Sequence, residues 1–534
     1  MCGPVSRVMT ESVPSSGRRR LWAVLVVMGL LGGCATVGPD YQPPEVDWLA
    51  DWQPDLYGQQ VQAGDGTGDD LRFWWQLFND PVLSVLIAEA RRENTSLRLA
   101  GLRILESRAT LGIADSGRYP QLQQIGADAT YIREEQAGGA DRDRSFSRYS
   151  ADFSVGWELD FWGRFRRGIE SADAAFFASI ANQQDAQVLL VALVADLYYA
   201  YCTTLQRIGI ARHNAAIQHR SFEITDRIFK AGQGSELDLQ QARTQYLATR
   251  ATIPLLQADL IRLRNALAGL LGRPPGPLPE LEATKGELPP VRPMAIDAVP
   301  VQLLLRRPDV RSAAWQVAAQ SAQIGVAEAD YYPAISLFGS IGWSTSSLSD
   351  SGSSTTLLAG PALSWNIFDY GRIRNNVRLQ DARLQAAIAA FQGQVLGAAR
   401  ELDDAAVQVV KTVESQRSLT ESVEAAQRAL DLATKRYQEG YSDFQRVLDA
   451  QRILFAQAER ELVNQGAHVS AIVDLYRAAG GGWMPMSMDD MLPADIRQTM
   501  EERTDWGGLL DEPVPEVRYP AGSAAPSTST PREP

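Results

Sequence analysis

The decapeptide WELDFWGRFR at residues 157–166 returns as WNIFDYGRIR at residues 365–374, an offset of 208 positions. Without a gap, the leading Trp, the Gly and two Arg of each copy coincide. An alternating segment precedes each Gly-Arg pair, and a long proline-free segment follows it. Alternation with period two predicts a strand, and a chain without proline permits an unbroken helix. Each decapeptide is therefore predicted to be a strand-to-helix junction.

The repetition extends well beyond the decapeptides. At the same offset, four later positions of the first copy coincide with four of the second: Phe229, Gly232, Leu239 and Ala242 with Tyr437, Gly440, Val447 and Ala450. Upstream, at an offset of 213 positions, residues 119–120 coincide with residues 332–333. A constant spacing over such distances indicates internal duplication.

Each copy contains two candidate strands. Residues 148–161 alternate between apolar and polar side chains, and residues 335–343 and 357–367 repeat the pattern in the second copy. A soluble β-sandwich would explain alternation, but its strands usually span only about five or six residues. Strands of about ten or more residues, tilted near 45°, favour a membrane barrel that crosses about 25 Å of hydrocarbon.

The helical segments are longer still. No proline occurs from residue 121 to 253 or from residue 362 to 484, so each copy has room for a helix of about 100 Å at about 1.5 Å per residue. Such a length is typical of coiled coils. Five residues have the a and d heptad spacing: Val423, Ala426, Leu430, Ala433 and Tyr437. Glycine with a capping Ser or Asp then predicts a turn at the end of each long helix.

The first residues are predicted to be a targeting signal. Arg18, Arg19 and Arg20 precede the apolar run LWAVLVVMGLL, which ends in LGGC at Cys34. This combination indicates a bacterial lipoprotein signal peptide over residues 1–33 and a covalent lipid on Cys34. An ordinary signal peptide with a chance cysteine is the alternative, and either Met1 or Met9 could start the chain. Only Cys202 follows Cys34, so no intrachain disulfide is expected in the mature chain.

Composition excludes several classes of function. The formal net charge of -13 argues against a nucleic-acid partner. The three histidines, His213, His219 and His468, form no zinc motif, and the chain has no phosphate-binding Gly-Lys loop and no nucleophile elbow. The sequence thus predicts no enzyme, no metal and no cofactor other than the lipid. No later run is judged apolar enough for a membrane helix, so a membrane would be crossed by strands.

Four spanning strands cannot close a barrel by themselves. Bacterial single-chain barrels start at about eight strands, and an open edge in lipid leaves backbone groups unsatisfied. Several chains must therefore share one barrel, although composition does not fix their number.

The chain resembles the outer-membrane factor family typified by TolC, and most closely its OprM and NodT lipoprotein branch. Four segments carry this resemblance: CATVGPDYQPP from Cys34, FWWQLFNDPVLSVLIAEA from Phe73, LLLRRPDVRSAAWQ from Leu303 and RYQEGYSDFQRVLDAQR from Arg436. The resemblance implies a mainly α fold with a membrane β-barrel, in which a homotrimer shares twelve strands. A long α-helical periplasmic barrel and a small mixed equatorial domain complete it.

The same resemblance implies an outer-membrane exit duct for drugs and small solutes. Its partners would be a periplasmic adaptor protein, an inner-membrane RND-type transporter and outer-membrane lipid. A duct for type I protein secretion and a non-transport structural lipoprotein with a coiled-coil stalk are the alternatives.

Specific residues are implied as well. Asp449 and Arg452, three apart on one helical face, match the family's periplasmic gate, with Gln445 in place of an apolar plug residue and Phe444 beside it. An ordinary exposed ion pair is the alternative. The adaptor-facing tips are expected at Gly232, Ser235, Asp238, Gly440, Ser442 and Asp443. The strand-helix junctions are expected at Gly163, Arg164, Gly371 and Arg372.

The resulting organisation has ten segments. The signal peptide is followed by the lipidated N-terminal and equatorial segment (34–86), a helix (87–118), strand pair 1 (119–162), the long and return helices of repeat 1 (163–265), an equatorial linker (266–305), a helix (306–331), strand pair 2 (332–370), the long and return helices of repeat 2 (371–480), and a C-terminal equatorial part with a disordered tail (481–534).

Overall fold

The structure is a computed structural model that describes residues 36–49, 52, 71–134, 144–284, 286–290, 304–346 and 352–520. A 3₁₀ helix, Trp74–Phe78, comes first. The helices and strands that follow are α1 (Pro81–Glu93), α2 (Thr95–Ser116), β1 (Leu122–Glu134), β2 (Arg144–Leu159), α3 (Arg164–Lys230), α4 (Glu236–Leu270), α5 (Pro279–Glu282), α6 (Pro308–Ala329), β3 (Ala334–Thr345), β4 (Ser353–Ser364), α7 (Arg372–Gln438), α8 (Phe444–Ala478), α9 (Met488–Met491) and α10 (Ala494–Arg503).

The chain divides into two compact units. We call the one that holds all four strands the strand unit; it comprises Met1–Tyr41, Thr110–Asp173 and Ala319–Gln385. The other, the helical unit, comprises Gln42–Ala109, Ala174–Ala318 and Ala386–Pro534.

The strand unit contains one antiparallel sheet in the order β1-β2-β3-β4. Its register aligns Ile125 with Phe153, Phe153 with Ile341, and Ile341 with Leu357, so one apolar row crosses all four strands on one face. These side chains are unusually exposed, from 43% for Phe153 to 81% for Ile125. An apolar face without protein against it is the face expected to meet lipid.

The opposite face of the sheet is polar. A second row aligns Asp128, Ser150, Ser344 and Ser354 across the same four strands. The Ser150 hydroxyl donates a hydrogen bond to Asp128, and the hydroxyls of Ser344 and Ser354 lie 2.9 Å apart. The sheet therefore separates an apolar side from a wet side, as the alternation in the sequence predicts.

The strands are long enough to cross a bilayer. They contain 13, 16, 12 and 12 residues. A strand of twelve residues spans about 40 Å, or about 28 Å along the membrane normal when tilted near 45°. Among the described residues, the outer edges of β1 and β4 pair with no further strand.

The helices repeat the duplication in their lengths. α3 and α7 each contain 67 residues, and the return helices α4 and α8 each contain 35. A helix of 67 residues is about 100 Å long at about 1.5 Å per residue. Proline-free sequence made this length available, and Pro254 falls within α4, beyond the long helix.

A small apolar core lies near the turn between α7 and α8. Of the heptad residues, Ala426 and Leu430 are buried, and Ala433 and Tyr437 pack partly buried. The buried members of this core come from α4, α7 and α8: Ala242, Leu430, Phe444, Val447, Leu448 and Ala450. The heptad pattern therefore marks the face of α7 that packs on the return helices.

Several bounds differ from the sequence prediction; α4, for example, was expected to end at residue 265 and continues to Leu270. The helix expected over residues 87–118 is two helices, α1 and α2, because Asn94 adopts an extended conformation between them. Its side-chain oxygen accepts hydrogen bonds from the backbone N–H groups of Ser96 and Leu97, both at 3.0 Å. Alternation expected to continue to residues 161 and 367 ends instead with β2 at Leu159 and β4 at Ser364, since junction residues follow.

The prediction that no later segment is apolar enough for a membrane helix is wrong on composition. An 18-residue window of α3 has a mean hydropathy of 1.7 and is long and apolar enough to cross a membrane. However, 56% of that window is buried inside the protein. Val191, Val194 and Ala195 lie at 1% exposure or less, so this run is apolar because it forms core.

Candidate functional site: junctions, helix ends and a buried charge cluster

The first strand-helix junction is fixed by a glycine and a carboxylate. Gly163 lies between the end of β2 and the start of α3, with φ of 77°. Asp160 accepts hydrogen bonds from the backbone N–H groups of Phe165 at 3.0 Å and Arg166 at 2.9 Å. These groups have no partner within the helix, so Asp160 caps α3. Arg164 lies 3.7 Å from both Glu158 and Asp330 and is half exposed.

The second junction uses the same device with a shifted cap. Gly371, with φ of 88°, immediately precedes Arg372, the first residue of α7. Asp369 accepts hydrogen bonds from the backbone N–H groups of Gly371 at 3.0 Å and Ile373 at 2.7 Å. Asp160 and Asp369 do not coincide at the offset of 208. Sequence reasoning missed both carboxylates, although an Asp at two to three residues before Gly-Arg is a readable capping signal.

The N-terminal segment is attached to the first junction. Val37 donates its backbone N–H to the carbonyl of Trp162 at 3.0 Å. Arg167, which is 4% exposed, donates to the Val37 carbonyl at 3.2 Å, the Gly38 carbonyl at 3.1 Å and the Asp40 carboxylate at 2.8 Å. A Cβ added at Gly163 would lie 2.4 Å from a methyl of Thr36. Cys34, the predicted lipid-attachment residue, lies outside the described residues.

The predicted tip residues form the two turns between long and return helices. Gly232 has φ of 69° and Gly440 has φ of 79°, the left-handed conformation that ends many helices. Ser235 caps α4 by accepting a hydrogen bond from the N–H of Leu237 at 3.1 Å, and Asp238 follows in the first turn.

The second tip is capped differently. Asp443 occupies the N-cap position of α8 without a side-chain capping bond. Ser442 donates a long hydrogen bond of 3.5 Å to the carbonyl of Asp443.

The predicted gate residues separate into two groups. Arg452 donates to Asp449 at 2.8 Å, and both side chains are exposed, at 68% and 41%. The Gln445 amide donates to the same carboxylate at 3.4 Å. Phe444 is not with them: it is 3% exposed and packs on Tyr437 in the core between helices, with ring centroids 5.1 Å apart. Sequence adjacency suggested a shared role, but neighbouring residues on a helix point about 100° apart.

This charged pair belongs to one repeat only. At the offset of 208, Asp449 coincides with Gln241 and Arg452 coincides with Thr244, both neutral. The two helix turns of one chain therefore differ in charge although they share a backbone plan.

A buried charge cluster in the helical unit was missed by sequence reasoning. Arg307 donates to Asp309 through two nitrogens, at 3.1 and 2.8 Å, to Glu401 at 3.0 Å and to the carbonyl of Ala478 at 2.8 Å. Burial alone would lower the pKa of Arg307 and raise that of Asp309, yet the ion pair more than offsets it in both. Thus the cluster joins the start of α6 to α7 and the end of α8.

Carboxylates are in excess around this cluster. Burial, together with the nearby charge of Asp309, raises the pKa of Asp185 to about 6. Arg477 lies 3.8 Å from Glu401, so Arg307 and Arg477 both face this carboxylate. Within the described ranges, no group of three or more His, Cys, Asp or Glu side chains is arranged to hold a metal ion.

Comparison with known proteins identifies the family of this chain. The chain matches the outer membrane efflux protein family over residues 86–273 and 299–481, more than half its length. The chain belongs to this family.

Relatives of known name agree with the family assignment. The chain is 30% identical to a protein named probable outer membrane lipoprotein SilC from Salmonella typhimurium, over 85% of this chain and 97% of SilC. It is 31% identical to the solvent efflux pump outer membrane protein SrpC of Pseudomonas putida, over 85% of this chain and 96% of SrpC. The solved structure of the outer-membrane channel OprN matches with a TM-score of 0.75 and 34% identity, over 84% of this chain and all of OprN.

These matches confirm three predictions made from the sequence. This outer membrane efflux protein has the TolC-like fold, acts as an outer-membrane exit duct for efflux, and resides in the outer membrane. The proteins of this family that it resembles are channels.

The two junction glycines of this efflux protein differ in surroundings and predict a graded effect. In Gly371→Ala only the positive φ opposes the new side chain, because the nearest atom, on Asn375, lies 3.6 Å away. In Gly163→Ala the contact with Thr36 is added. We expect a loss of about 1 kcal/mol for Gly371→Ala and clearly more for Gly163→Ala, measured by urea unfolding in detergent. Gly168→Ala, within α3 and with nothing within 4 Å, is the control and should not destabilise. Equal effects at both junctions would contradict the assigned contacts.

The ion pairs of Arg307 and Arg452 are expected to contribute very different amounts to the free energy of unfolding. Arg307→Gln removes the buried arginine that pairs with Asp309 and Glu401, which are 15% and 34% exposed, so we expect a loss of about 3–5 kcal/mol of unfolding free energy. Arg452→Gln breaks an exposed pair and should change it by less than about 1 kcal/mol. Both variants replace Arg with Gln in the same unit and are compared by the same unfolding assay. A large loss for Arg452→Gln would show that this pair carries structure.

Proposed function

We propose that three copies of this chain form the outer-membrane exit duct of a tripartite efflux pump, passing drugs and small solutes outward. The observation that carries a shared barrel is the four-stranded sheet with an exposed apolar face and two unpaired edges among the described strands, and the family resemblance supplies the number three. Three such sheets, joined edge to edge, would make twelve strands, an even number within the range of bacterial barrels. No backbone edge then remains in lipid.

The helices would continue this duct into the periplasm. Three copies of the α3, α4, α7 and α8 set would line a tube of about 100 Å. The duct catalyses no reaction in this proposal, and an inner-membrane RND-type transporter supplies the energy through a periplasmic adaptor protein. The adaptor would meet the helix turns at Gly232, Ser235, Asp238, Gly440, Ser442 and Asp443, which present capped ends and left-handed glycines.

A lipid on Cys34 would add an anchor at a defined place. Two peptide units separate Cys34 from Thr36, a reach of about 7 Å at most. Thr36 lies against Gly163, and Arg167 holds the following residues at the β2-α3 junction. The acyl chains would therefore enter the membrane close to the periplasmic end of the barrel, where the strands end and the junctions begin.

Asp449 is proposed to line the periplasmic gate. Its carboxylate is exposed near the start of α8, and only the second repeat carries it. Three copies around an axis would gather cations at the entrance, and Arg452 would moderate their charge. Phe444 is assigned no role as an apolar plug in this proposal, since it is buried in the core between helices.

Loss of the gene tests the proposed function. A deletion strain should lose tolerance to toxic small solutes, because the duct is the only path of its pump across the outer membrane. The plasmid-borne chain should restore tolerance, measured as the minimal inhibitory concentration of a solute panel. A strain with normal tolerance that no longer secretes a protein would instead assign the duct to type I secretion. Unchanged tolerance and unchanged secretion would favour a structural lipoprotein.

Gate charge predicts an electrical effect. In planar bilayers, Asp449→Asn should lower the preference of the channel for cations and change its conductance, because three carboxylates leave the constriction. Asp404→Asn is the control, an exposed carboxylate of α7 that pairs with Arg400 at 4.0 Å outside the turn. Identical conductance and ion preference for wild type and Asp449→Asn would remove Asp449 from the gate.

A further inference from the structure

A basic cavity of about 540 Å³ lies in the helical unit, apart from the helix turns and the proposed gate. Its lining residues come from the segment after α8, the segment before α6 and its first turn, the residues before the 3₁₀ helix and the C-terminal segment. Four of them are arginines: Arg72, Arg306, Arg311 and Arg518. The volume falls within the range of about 300–1,000 Å³ that is typical of small-molecule sites.

Arg311 sets this cavity apart from a solvated basic surface. It is 7% exposed, and its hydrogen bonds go to neutral oxygens, the carbonyl of Val517 at 2.7 Å and the amide of Gln184 at 2.7 Å. Its Nε–H has no partner among the described residues, although it is buried. A buried guanidinium that lacks a carboxylate is costly, because desolvation removes water from a full charge.

The contrast with Arg307, four residues earlier in the same motif, is direct. Arg307 is equally buried but binds Asp309 and Glu401, and its pKa is raised. Burial lowers the pKa of Arg311 to about 10, since the charges of Glu516 and Asp309 act on it only from a distance. Glu516 is 76% exposed and lies 3.8 Å from Arg518. This motif thus contains two buried arginines that differ in their partners. Arg307 is neutralised by carboxylates, whereas Arg311 has no carboxylate in contact with it among the described residues.

The face of the Arg311 guanidinium is already used. It stacks on the Trp483 ring at 4.8 Å from the centroid, so a ligand would have to approach Arg311 at its edge, beside the N–H groups that bind Val517 and Gln184. Arg306 and Arg518, both exposed, line the same space. Guanidinium groups bind carboxylate and phosphate oxygens through two parallel hydrogen bonds.

We propose that this cavity binds a small, multiply charged oxyanion, whose carboxylate or phosphate groups meet the buried edge of Arg311 and the exposed arms of Arg306 and Arg518. The ligand supplies the negative charge that the fold leaves out beside Arg311. No described residue of the strands, the helix turns or the proposed gate lines this cavity, and we assign it a resident or regulatory anion.

Calorimetric titration of the detergent-solubilised full-length protein tests this site, with citrate and inorganic pyrophosphate as probes. Each is compared with sodium chloride at equal ionic strength. We expect saturable binding of at least one probe, and a loss of about tenfold or more in affinity for Arg306→Gln or Arg311→Lys. Arg306→Gln changes an exposed side chain and keeps the test valid if Arg311→Lys does not fold.

Arg428→Gln is the matched control, because Arg428 is exposed on α7 and does not line the cavity. It should bind as wild type does. Absence of saturable binding by both probes, or equal losses in Arg428→Gln and Arg306→Gln, would overturn the proposal. Since binding is measured without transport, its failure leaves the efflux function untouched.

Discussion

An unpaired strand edge in hydrocarbon is the constraint on which this protein depends. Each backbone N–H or carbonyl left without a partner in lipid costs several kcal/mol, because no water replaces the missing hydrogen bond. Along β1 and β4 of the described chain, every second backbone group would be in that position. The apolar row from Ile125 to Leu357 also needs lipid beside it. A single chain satisfies the apolar face but not the edges, so the proposed trimer would assemble through hydrogen bonding rather than through apolar contact.

A second constraint is the change from strand to helix, which each copy of the duplicated sequence makes once. A strand side chain repeats every second residue and a helical one about every 3.6, so a chain that changes from one to the other needs a break in direction. A left-handed glycine with an Asp cap supplies that break at Gly163 and again at Gly371. The two copies differ at the position after the junction. Arg167 binds the N-terminal segment at the first junction, and the equivalent residue at the second is Asn375.

Sequence alone predicted the parts that depend on periodicity. Alternation revealed the strands, absence of proline revealed the helix lengths, and the constant offset revealed the duplication. It did not show which helices meet. Arg307 and Arg311 stand four apart in one motif and look equivalent, but only the first pairs with the carboxylates of Asp309 and Glu401. Phe444 was grouped with Asp449 by sequence proximity, whereas packing turns it into the core. The split at Asn94 depends on a capping bond that spacing does not display.

The most direct test of this account is the number of chains in the detergent-solubilised protein, measured by native mass spectrometry. The account predicts three copies of the mature chain, because three sheets of four strands close a barrel without an open edge. Disruption of either outer strand should then yield monomers that no longer remain in detergent solution. A folded, membrane-inserted monomer of wild-type sequence would contradict the account, since its edges would stand unpaired in lipid.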